Sequence, residues 1–522
     1  MTKEKVKERV LVYGSGARDH CLCEEYAESH HVEKVFFAPG NPGVKYSDKG
    51  RKNRIEQTVI KDFQEIIKFC KENDVKLVDV GSENPLDEGL VDVLADAEIA
   101  CIGPKKDYVK LENDREFTDK LLSKIGKEKF GYEYAIKPEW KSFTDAEEVK
   151  KYVKKIGYQV VVKANGLAKG KGAIVCNDVD DAIEAIDTIM IKKKFGKSGD
   201  KVIIEERKYG KEISFFAYLD GENVLPLRMF AQDYKPAFDP ENILEMFYHH
   251  YGREASGKKL SGIRRGLQET GIRCPGNLEQ MAEEQRDEFL ISKLKEKNIK
   301  LINPNTGGTG CYCPHREASP HLINTIIRKI VNPVVDEIYN ELGWKYKGVL
   351  YFGLNRDPDG NLSVFEINVR HGDPEAEVIL RKFQVDFYEL GRAVIEGTLD
   401  SFKPRWNPNY YVDIIAMAGK SKDKKGAWYT GYPERYGEGY KIEGIEDVNE
   451  KGVTIFYSGV DTEPKKGLVT KGGRVLHVVA SSSNSLGEAV DKAYRNIEKI
   501  KFIDHNNNNE NCMRYRKTIG RD

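Results

Sequence analysis

The sequence predicts a multidomain protein of combined α/β and α+β class, with a parallel α/β unit first, a mixed central region and a mostly β unit last. Three observations carry that expectation. At 522 residues the chain exceeds what one hydrophobic core sustains, so roughly two to four domains are expected. Its first hundred or so residues alternate apolar strand-like runs with charged, helix-like stretches, the βαβ pattern of a parallel sheet flanked by helices. Past residue 400, short apolar runs return between Gly-rich turns such as Gly431-Tyr432-Pro433 and Lys471-Gly472-Gly473-Arg474.

In chain order, the N-terminal unit (1–107) places strands at 10–13, 35–38, 77–80 and 99–102. Each runs into a turn segment: Gly14-Ser15-Gly16, Pro39-Gly40-Asn41, Gly81-Ser82-Glu83-Asn84-Pro85 and Gly103-Pro104. Ligands of open parallel sheets sit outside the carboxyl ends of the strands, so these loops read as one crevice. The central region (108–400) alternates helices at 145–156 and 179–190 with strands at 160–163, 202–206, 213–219 and 348–355. Residues 240–300 are strongly charged, with a helix expected at 277–297. The C-terminal unit takes 401–522.

Composition narrows the function classes. Lys plus Arg and Asp plus Glu both number 84, a formal net charge of zero, which gives no general attraction to nucleic acid or an anionic membrane. Any phosphate-binding surface is therefore local. A mean hydropathy of -0.58 and the lack of an apolar run near the roughly 20 residues of a membrane span predict a soluble protein. Residues 1–10 carry no signal-peptide core, and the nine scattered cysteines read as reduced thiols, so a cytoplasmic location is expected. The close pairs Cys21/Cys23 and Cys311/Cys313 lack His partners at metal-finger spacing and read as small apolar packing.

The most informative stretch is the strand expected at 364–370, Val364-Phe365-Glu366-Ile367-Asn368-Val369-Arg370. Alternation puts Glu366, Asn368 and Arg370 on one face and Phe365, Ile367 and Val369 on the other. A carboxylate and an amide oxygen in a row suit Mg²⁺, which keeps several waters and accepts substrate phosphates, and the arginine suits a phosphate. An ordinary amphipathic edge strand has the same alternation. The turn Asp357-Pro358-Asp359-Gly360 makes 348–355 its antiparallel partner.

A second stretch delivers Lys163 from an apolar strand into a loop carrying Gly166, Gly170, Lys171 and Gly172. Glycines let backbone N–H groups approach phosphate oxygens and lysines add charge, although P-loop spacing is absent. A mobile flap over ATP is the expected form. Glu205 and Glu206 end another strand, followed by Glu212, where backbone groups would meet an adenine edge and a carboxylate a ribose. The loop Gly14-Ser15-Gly16-Ala17-Arg18-Asp19 lacks the third glycine and the later acid of a dinucleotide site, leaving a helix N-terminus for one phosphate. Asn305-Thr306-Gly307-Gly308 and Gln232-Asp233-Tyr234-Lys235 are polar loops without a decisive signal of their own.

Together and in this order, these segments resemble the phosphoribosylamine–glycine ligase (glycinamide ribonucleotide synthetase) family of ATP-grasp enzymes. The segments Glu83-Asn84-Pro85-Leu86, Arg370-His371-Gly372-Asp373-Pro374-Glu375 and Arg516-Lys517-Thr518-Ile519-Gly520 add to a resemblance that spans nearly the whole chain. It implies a pre-ATP-grasp N-terminal domain, an ATP-grasp domain with a small lid at about 130–205, and a C-terminal β domain. It also implies an ATP-dependent carbon–nitrogen ligase of purine biosynthesis, in which ATP phosphorylates the carboxylate of glycine and the amine of 5-phosphoribosylamine then displaces phosphate. Carried onto this sequence, the resemblance assigns the metal (Mg²⁺ or Mn²⁺) to Glu366 and Asn368. ATP falls to Lys163, Gly170, Lys171, Gly172, Glu205, Glu206 and Glu212. The substrates fall to Gly14, Ser15, Gly16, Arg18, Asp19, Gly40, Asn41, Glu83, Pro85, Asp233, Asn305, Thr306, Gly307, Gly308, Arg370, Gly372 and Asp373. Lys171, Arg370 and Asp373 are the catalytic candidates. Neither nucleic acid nor membrane is an implied partner, and a monomer or weak homo-oligomer is expected.

Several residues depart from the family pattern. Ala17 and Asp19 stand where the family usually has Gly and Glu, Asn165 replaces Asp, Thr309 replaces Met, and His371 replaces Phe. These changes bear on substrate affinity more than on reaction type. The charged insertion at 240–300 reads as a helical surface excursion. The competing functions are a different ATP-grasp ligase and a catalytically silent nucleotide-binding scaffold. A multifunctional purine enzyme would need more chain than 522 residues provide.

Overall fold

The computed structural model describes residues 7–47, 54–60, 62–130, 136–168, 171–251, 260–299, 301, 303–343, 346–422, 428–505 and 508–521. The strands Glu8–Gly14 (β1), Val32–Pro39 (β2), Ile55–Gln57 (β3), Val75–Val80 (β4) and Cys101–Ile102 (β5) form a sheet of order β3-β2-β1-β4-β5. Every pair in it is parallel. Helices cover both faces, so the central strand reads as a continuous apolar run, and Val10, Leu11 and Val12 are fully buried. The strand order reverses between β1 and β4, so the loops after those strands meet at a switch point.

The segment expected to form a lid folds as a separate four-stranded sheet of Trp140–Phe143 (β6), Val160–Ala164 (β7), Ala173–Val175 (β8) and Val202–Glu206 (β9), in order β6-β9-β7-β8. Helices Ala146–Ile156 and Val179–Ile186 back it, and Val149, Val153, Val160, Val162, Ala182 and Ile186 close its own small core. The second helix keeps α geometry only to Ile186 and continues as a π turn, Asp187–Ile191.

The central sheet runs Leu362–Asn368 (β14), Lys347–Arg356 (β13), Lys211–Asp220 (β10), Val224–Asp233 (β11) and Gly310–Cys313 (β12). β13 and β14 pair antiparallel, as the intervening turn predicts. The same sheet then passes into the C-terminal region through Tyr410–Ala418, Arg474–Ser482 and Val453–Tyr457. A second, five-stranded sheet and the helix Leu486–Ile497 complete the mostly β C-terminal unit.

The charged insertion is helical, as expected, but closed around a core of its own. Helices Ile243–Tyr251, Ser261–Glu269 and Glu283–Glu296 bury Phe247, Ile263, Leu267, Leu290 and Leu294 together. The helix expected at 277–297 begins only at Glu283. All nine cysteines are free and eight are buried, in line with apolar packing. Among the described residues, no helix is long and apolar enough to cross a membrane.

Candidate active site

Strand β14 does not keep simple alternation. Leu362 and Val364 face the core, and so do Ile367 and Val369, although Val364 and Ile367 are three residues apart and regular alternation would put them on opposite faces. The register explains it: Glu366 lies opposite Gly353 and Val364 opposite Leu354, so Phe365 is an unopposed extra residue. Such a bulge switches the inward parity of the strand. Phe365, expected in the core, therefore lines the cavity beside Glu366, Asn368 and Arg370. Gly353 is part of the device, because a Cβ there would stand 2.7 Å from Glu366 Cγ. The strand ends at Asn368, which leaves Arg370 in the following turn.

The cavity these residues face has a volume of about 760 Å³ and is bounded by the lid, the central sheet and N-terminal loops. Lys235 Nζ donates to Glu366 Oε1 at 2.9 Å. Burial pushes the Glu366 carboxyl up, but Lys235 and Arg115 outweigh it and hold the pKa at about 2, so the group is ionised. Asn368 is mostly buried and lines the same wall. An ionised carboxylate and an amide oxygen on a polar cavity wall are a fitting donor pair for a hard divalent cation.

The lid contributes a buried charge cluster. Lys163 Nζ lies 2.5 Å from Glu205 Oε1, and Lys137 holds the other Glu205 oxygen while standing 2.8 Å from Asp119 Oδ1. Glu205, expected to meet a ribose, thus serves as counter-ion to two buried ammonium groups, of which Lys137 also has Asp119 and Lys163 would otherwise be uncompensated. Burial brings the Lys163 pKa down to about 8, with Glu205 opposing that fall. Glu206 and Glu212 also line the cavity. Lys171 does not line it: its Nζ donates to the Pro433 carbonyl at 2.9 Å and sits 4.8 Å from the Tyr432 ring centre. That contact ties the loop carrying Lys171 to the C-terminal unit. Gly172 lines the cavity, and Gly170 lies outside the described residues.

At the other end, the arginines are already compensated. Arg370 Nη2 is 2.6 Å from Glu112 Oε1, and its Nε is 3.6 Å from Glu83 Oε2. Arg18 donates to the His371 carbonyl at 2.9 Å and lies 3.6 Å from the same Glu83 oxygen. Arg370, expected to grip a phosphate, is instead fixed by two carboxylates. Arg115 lines the cavity, and sequence reading missed it because it opens a helix of mixed charge with no motif. Arg474 donates to the Gly307 and Asp373 carbonyls at 2.8 and 2.9 Å, which fastens the loop of Asn305, Thr306 and Gly307 to the turn carrying Gly372 and Asp373. Arg474 and Lys235 both fall in segments visible in the sequence, but neither has a diagnostic spacing. Burial and nearby Glu375 push the Asp233 carboxyl well above the usual range.

The first loop differs from its expected role. Asp19 accepts from the Ser15 and Gly16 N–H groups, both at 2.9 Å, and from Ser82 Oγ at 3.2 Å. The helix N-terminus expected to hold a phosphate therefore holds the chain's own carboxylate. A Cβ on Gly14 or Gly81 would come within 2.2 or 2.0 Å of that side chain. Gly14, Ser15, Gly16, Asp19, Gly40, Asn41, Pro85 and Gly308 do not line the cavity, whereas Arg18 and Glu83 do. Asn41 donates to the Ser15 and Tyr457 carbonyls at 2.8 and 2.9 Å, stapling the loop to the C-terminal unit. Gly308, at φ +116°, allows Pro374 to approach where a Cβ would meet it at 2.5 Å. Three departures from the family pattern are held by hydrogen bonds. His371 Nε2 lies 2.8 Å from Tyr218 Oη, Thr309 donates to the Tyr234 carbonyl at 2.7 Å, and Asn165 accepts from the Glu116 N–H at 2.9 Å.

The chain matches phosphoribosylglycinamide synthetase in three parts: its N domain over 8–112, its ATP-grasp (A) domain over 122–376 and its C domain over 427–522. It is 35% identical over 521 residues to the phosphoribosylamine–glycine ligase of Archaeoglobus fulgidus, covering 98% of this chain and 99% of that one. To the human trifunctional purine biosynthetic protein adenosine-3 it is 32% identical, over 98% of this chain and 42% of that one. The crystal structure of phosphoribosylamine–glycine ligase from Thermotoga maritima shares the fold at a TM-score of 0.66 and 24% identity, covering 98% of this chain and 99% of that one. A biotin carboxylase from Campylobacter jejuni shares it more loosely, at a TM-score of 0.57 and 14% identity over 94% and 91% of the two chains. With all three domains matched in order and a relative aligned end to end, the chain belongs to the phosphoribosylglycinamide synthetase family.

Proposed function

We propose that the protein uses ATP to join glycine to 5-phosphoribosylamine, giving glycinamide ribonucleotide, ADP and phosphate in the cytoplasmic synthesis of purines. One observation carries the reading. A single cavity is shared by Lys163 of the lid, Glu366 and Asn368 of the central sheet, and Arg18 and Glu83 of the N-terminal unit. A nucleotide, a carboxylate and an amine can therefore meet without leaving the protein.

A free carboxylate is a poor electrophile, and phosphorylation gives it a leaving group. A carboxylate oxygen of glycine attacks the γ-phosphorus and ADP leaves. The amine nitrogen then attacks the acyl carbon, phosphate departs with that oxygen, and the nitrogen gives up a proton. A divalent cation held by Glu366 and Asn368 would supply charge neutralisation on the phosphates. Lys163 and Arg115 add fixed positive charge on the same side of the cavity. Asp233, Glu212 and Glu375 line one wall, and the ammonium of glycine placed there would favour the ionised forms that burial disfavours. Arg370, braced by Glu112 and Glu83, positions the turn that carries Asp373. Closure of the lid would keep water from the acyl phosphate.

Purified protein is expected to release phosphate only when ATP, Mg²⁺, glycine and phosphoribosylamine are all present. Turnover with formate or bicarbonate in place of glycine would assign a different ligase. Tight ATP binding without turnover would assign a scaffold.

A further inference from the structure

Behind the cavity wall, the helix Glu375–Lys382 crosses the strands Tyr410–Ala418 and Arg474–Ser482. At that crossing lie Asp373, Glu377, Asp413 and His477. The last three are fully buried, while Asp373 also reaches the cavity. His477 Nδ1 is 2.7 Å from Asp413 Oδ2, so the ring donates there and presents its Nε2 lone pair elsewhere. Nε2 stands 3.7 Å from Asp373 Oδ1, and Glu377 Oε1 is 3.7 Å from the ring's Nδ1. One ligand atom from each of Asp373, Glu377 and His477 lies within 4.8 Å of the other two.

The free atoms are the ones a cation would need. Among the described residues, His477 Nε2, both Glu377 oxygens and Asp413 Oδ1 have no hydrogen-bond partner, and Asp373 Oδ1, also without one, is ion-paired with Arg474. Buried polar atoms without partners are destabilising, and charged ones more so. Charge points the same way. Three carboxylates face Arg474, whose Nη1 is 3.0 Å from Asp373 Oδ1 but whose hydrogen bonds go to the Gly307 and Asp373 carbonyls. Arg18 also acts on Asp373 and Glu377, so the three carboxylates still outnumber the two arginines, and a cation would offset the excess.

We infer that Asp373, Glu377 and His477 form a second divalent-cation site, separate from Glu366 and Asn368. One imidazole nitrogen and two carboxylates suit a first-row transition ion such as Zn²⁺. Asp413 holds the imidazole in the ligating orientation, as carboxylates behind metal-bound histidines do. The ion joins the helix to the strand Arg474–Ser482, which the His477–Asp413 bond ties to Tyr410–Ala418, and steadies the turn that carries Arg370 and Asp373 into the cavity.

The test is Zn²⁺ retention by chelator-stripped full-length protein, measured by elemental analysis after gel filtration in excess Mg²⁺. Wild type is expected to retain one equivalent and to melt at a higher temperature with it. Glu377→Gln and His477→Gln should each lose that equivalent. His31→Gln should keep it, which separates the buried site from the exposed His30, His31 and Glu389 group. A wild type that retains no Zn²⁺, or buried-site variants that retain it, would overturn the inference. Should either variant fail to fold, the wild-type imidazole ¹H–¹⁵N spectrum decides. Zn²⁺ must then shift one solvent-protected ring, and shifts confined to exposed rings would overturn the site.

Discussion

Replacing Glu205 by Gln keeps the size of the side chain and removes the negative charge 2.5 Å from Lys163 Nζ. Burial already lowers Lys163 to about 8 with Glu205 opposing the fall. Losing an opposite charge at this range lowers a lysine by about 1–3 pKa units, so Lys163 in the variant should titrate at roughly 6. Lys137 keeps Asp119 at 2.8 Å, so Lys163 is the group that discharges. At pH 7.5 it would be protonated in about 3% of molecules, against about 75% in the wild type. If the phosphates require the ammonium, ATP binding weakens on the order of 25-fold at that pH, and the deficit narrows to about twofold at pH 6. The wild type should itself lose affinity above about pH 8, where its own Lys163 loses its proton. Isothermal titration with a nonhydrolysable ATP analogue between pH 6 and 8.5 measures both trends. Equal affinity at pH 7.5, or a deficit that stays constant toward pH 6, would mean that Glu205 does not act by keeping Lys163 protonated.

Three further outcomes are expected. Glu366→Gln removes the only formal charge of the metal-type pair, so turnover should drop by about a hundredfold or more with far-UV circular dichroism unchanged; wild-type rates would remove that residue from the site. Asp79, buried and bonded to Tyr26 Oη at 2.8 Å, has its pKa raised by burial from 3.8 to about 7. Because the folded state holds this proton more tightly, stability from Asp79 is full below about pH 4 and is lost as pH rises to about 7, roughly 4 kcal/mol in all. Asp79→Asn should therefore melt progressively above the wild type as pH rises from 4 to 8, and parallel melting curves would contradict this. Gly81→Ala places a Cβ 2.0 Å from Asp19 Oδ1, so the urea midpoint should fall by the equivalent of about 1–3 kcal/mol; an unchanged midpoint would mean Asp19 moves aside freely.

The parallel N-terminal sheet was legible because strands buried on both faces read as apolar runs ending in turn residues. The residue types of β14 were legible too, but their facing was not. Its parity depends on where Gly353 of β13 stands, and that register has no trace in the 364–370 segment itself. The loop after β1 announced a tight turn, yet whether its N–H groups serve a ligand or the chain is settled by Asp19 reaching back three residues. The charge partners were least legible of all. Arg370 and Glu112 are 258 positions apart, and Lys137 and Glu205 are 68 apart, so no local pattern joins them. The buried cluster of Glu377, Asp413 and His477 has the same origin, since it forms only where a helix crosses two distant strands.

In the proposed reaction, glycine's carboxylate takes the γ-phosphoryl group of ATP before the amine attacks. Glycine labelled with ¹⁸O in its carboxylate tests it most directly, with mass spectrometry of the phosphate released during turnover with phosphoribosylamine. The carboxylate oxygen that bonds to phosphorus must leave with it, so the released phosphate should carry one ¹⁸O. Unlabelled phosphate formed together with the amide product would mean that no glycyl phosphate forms.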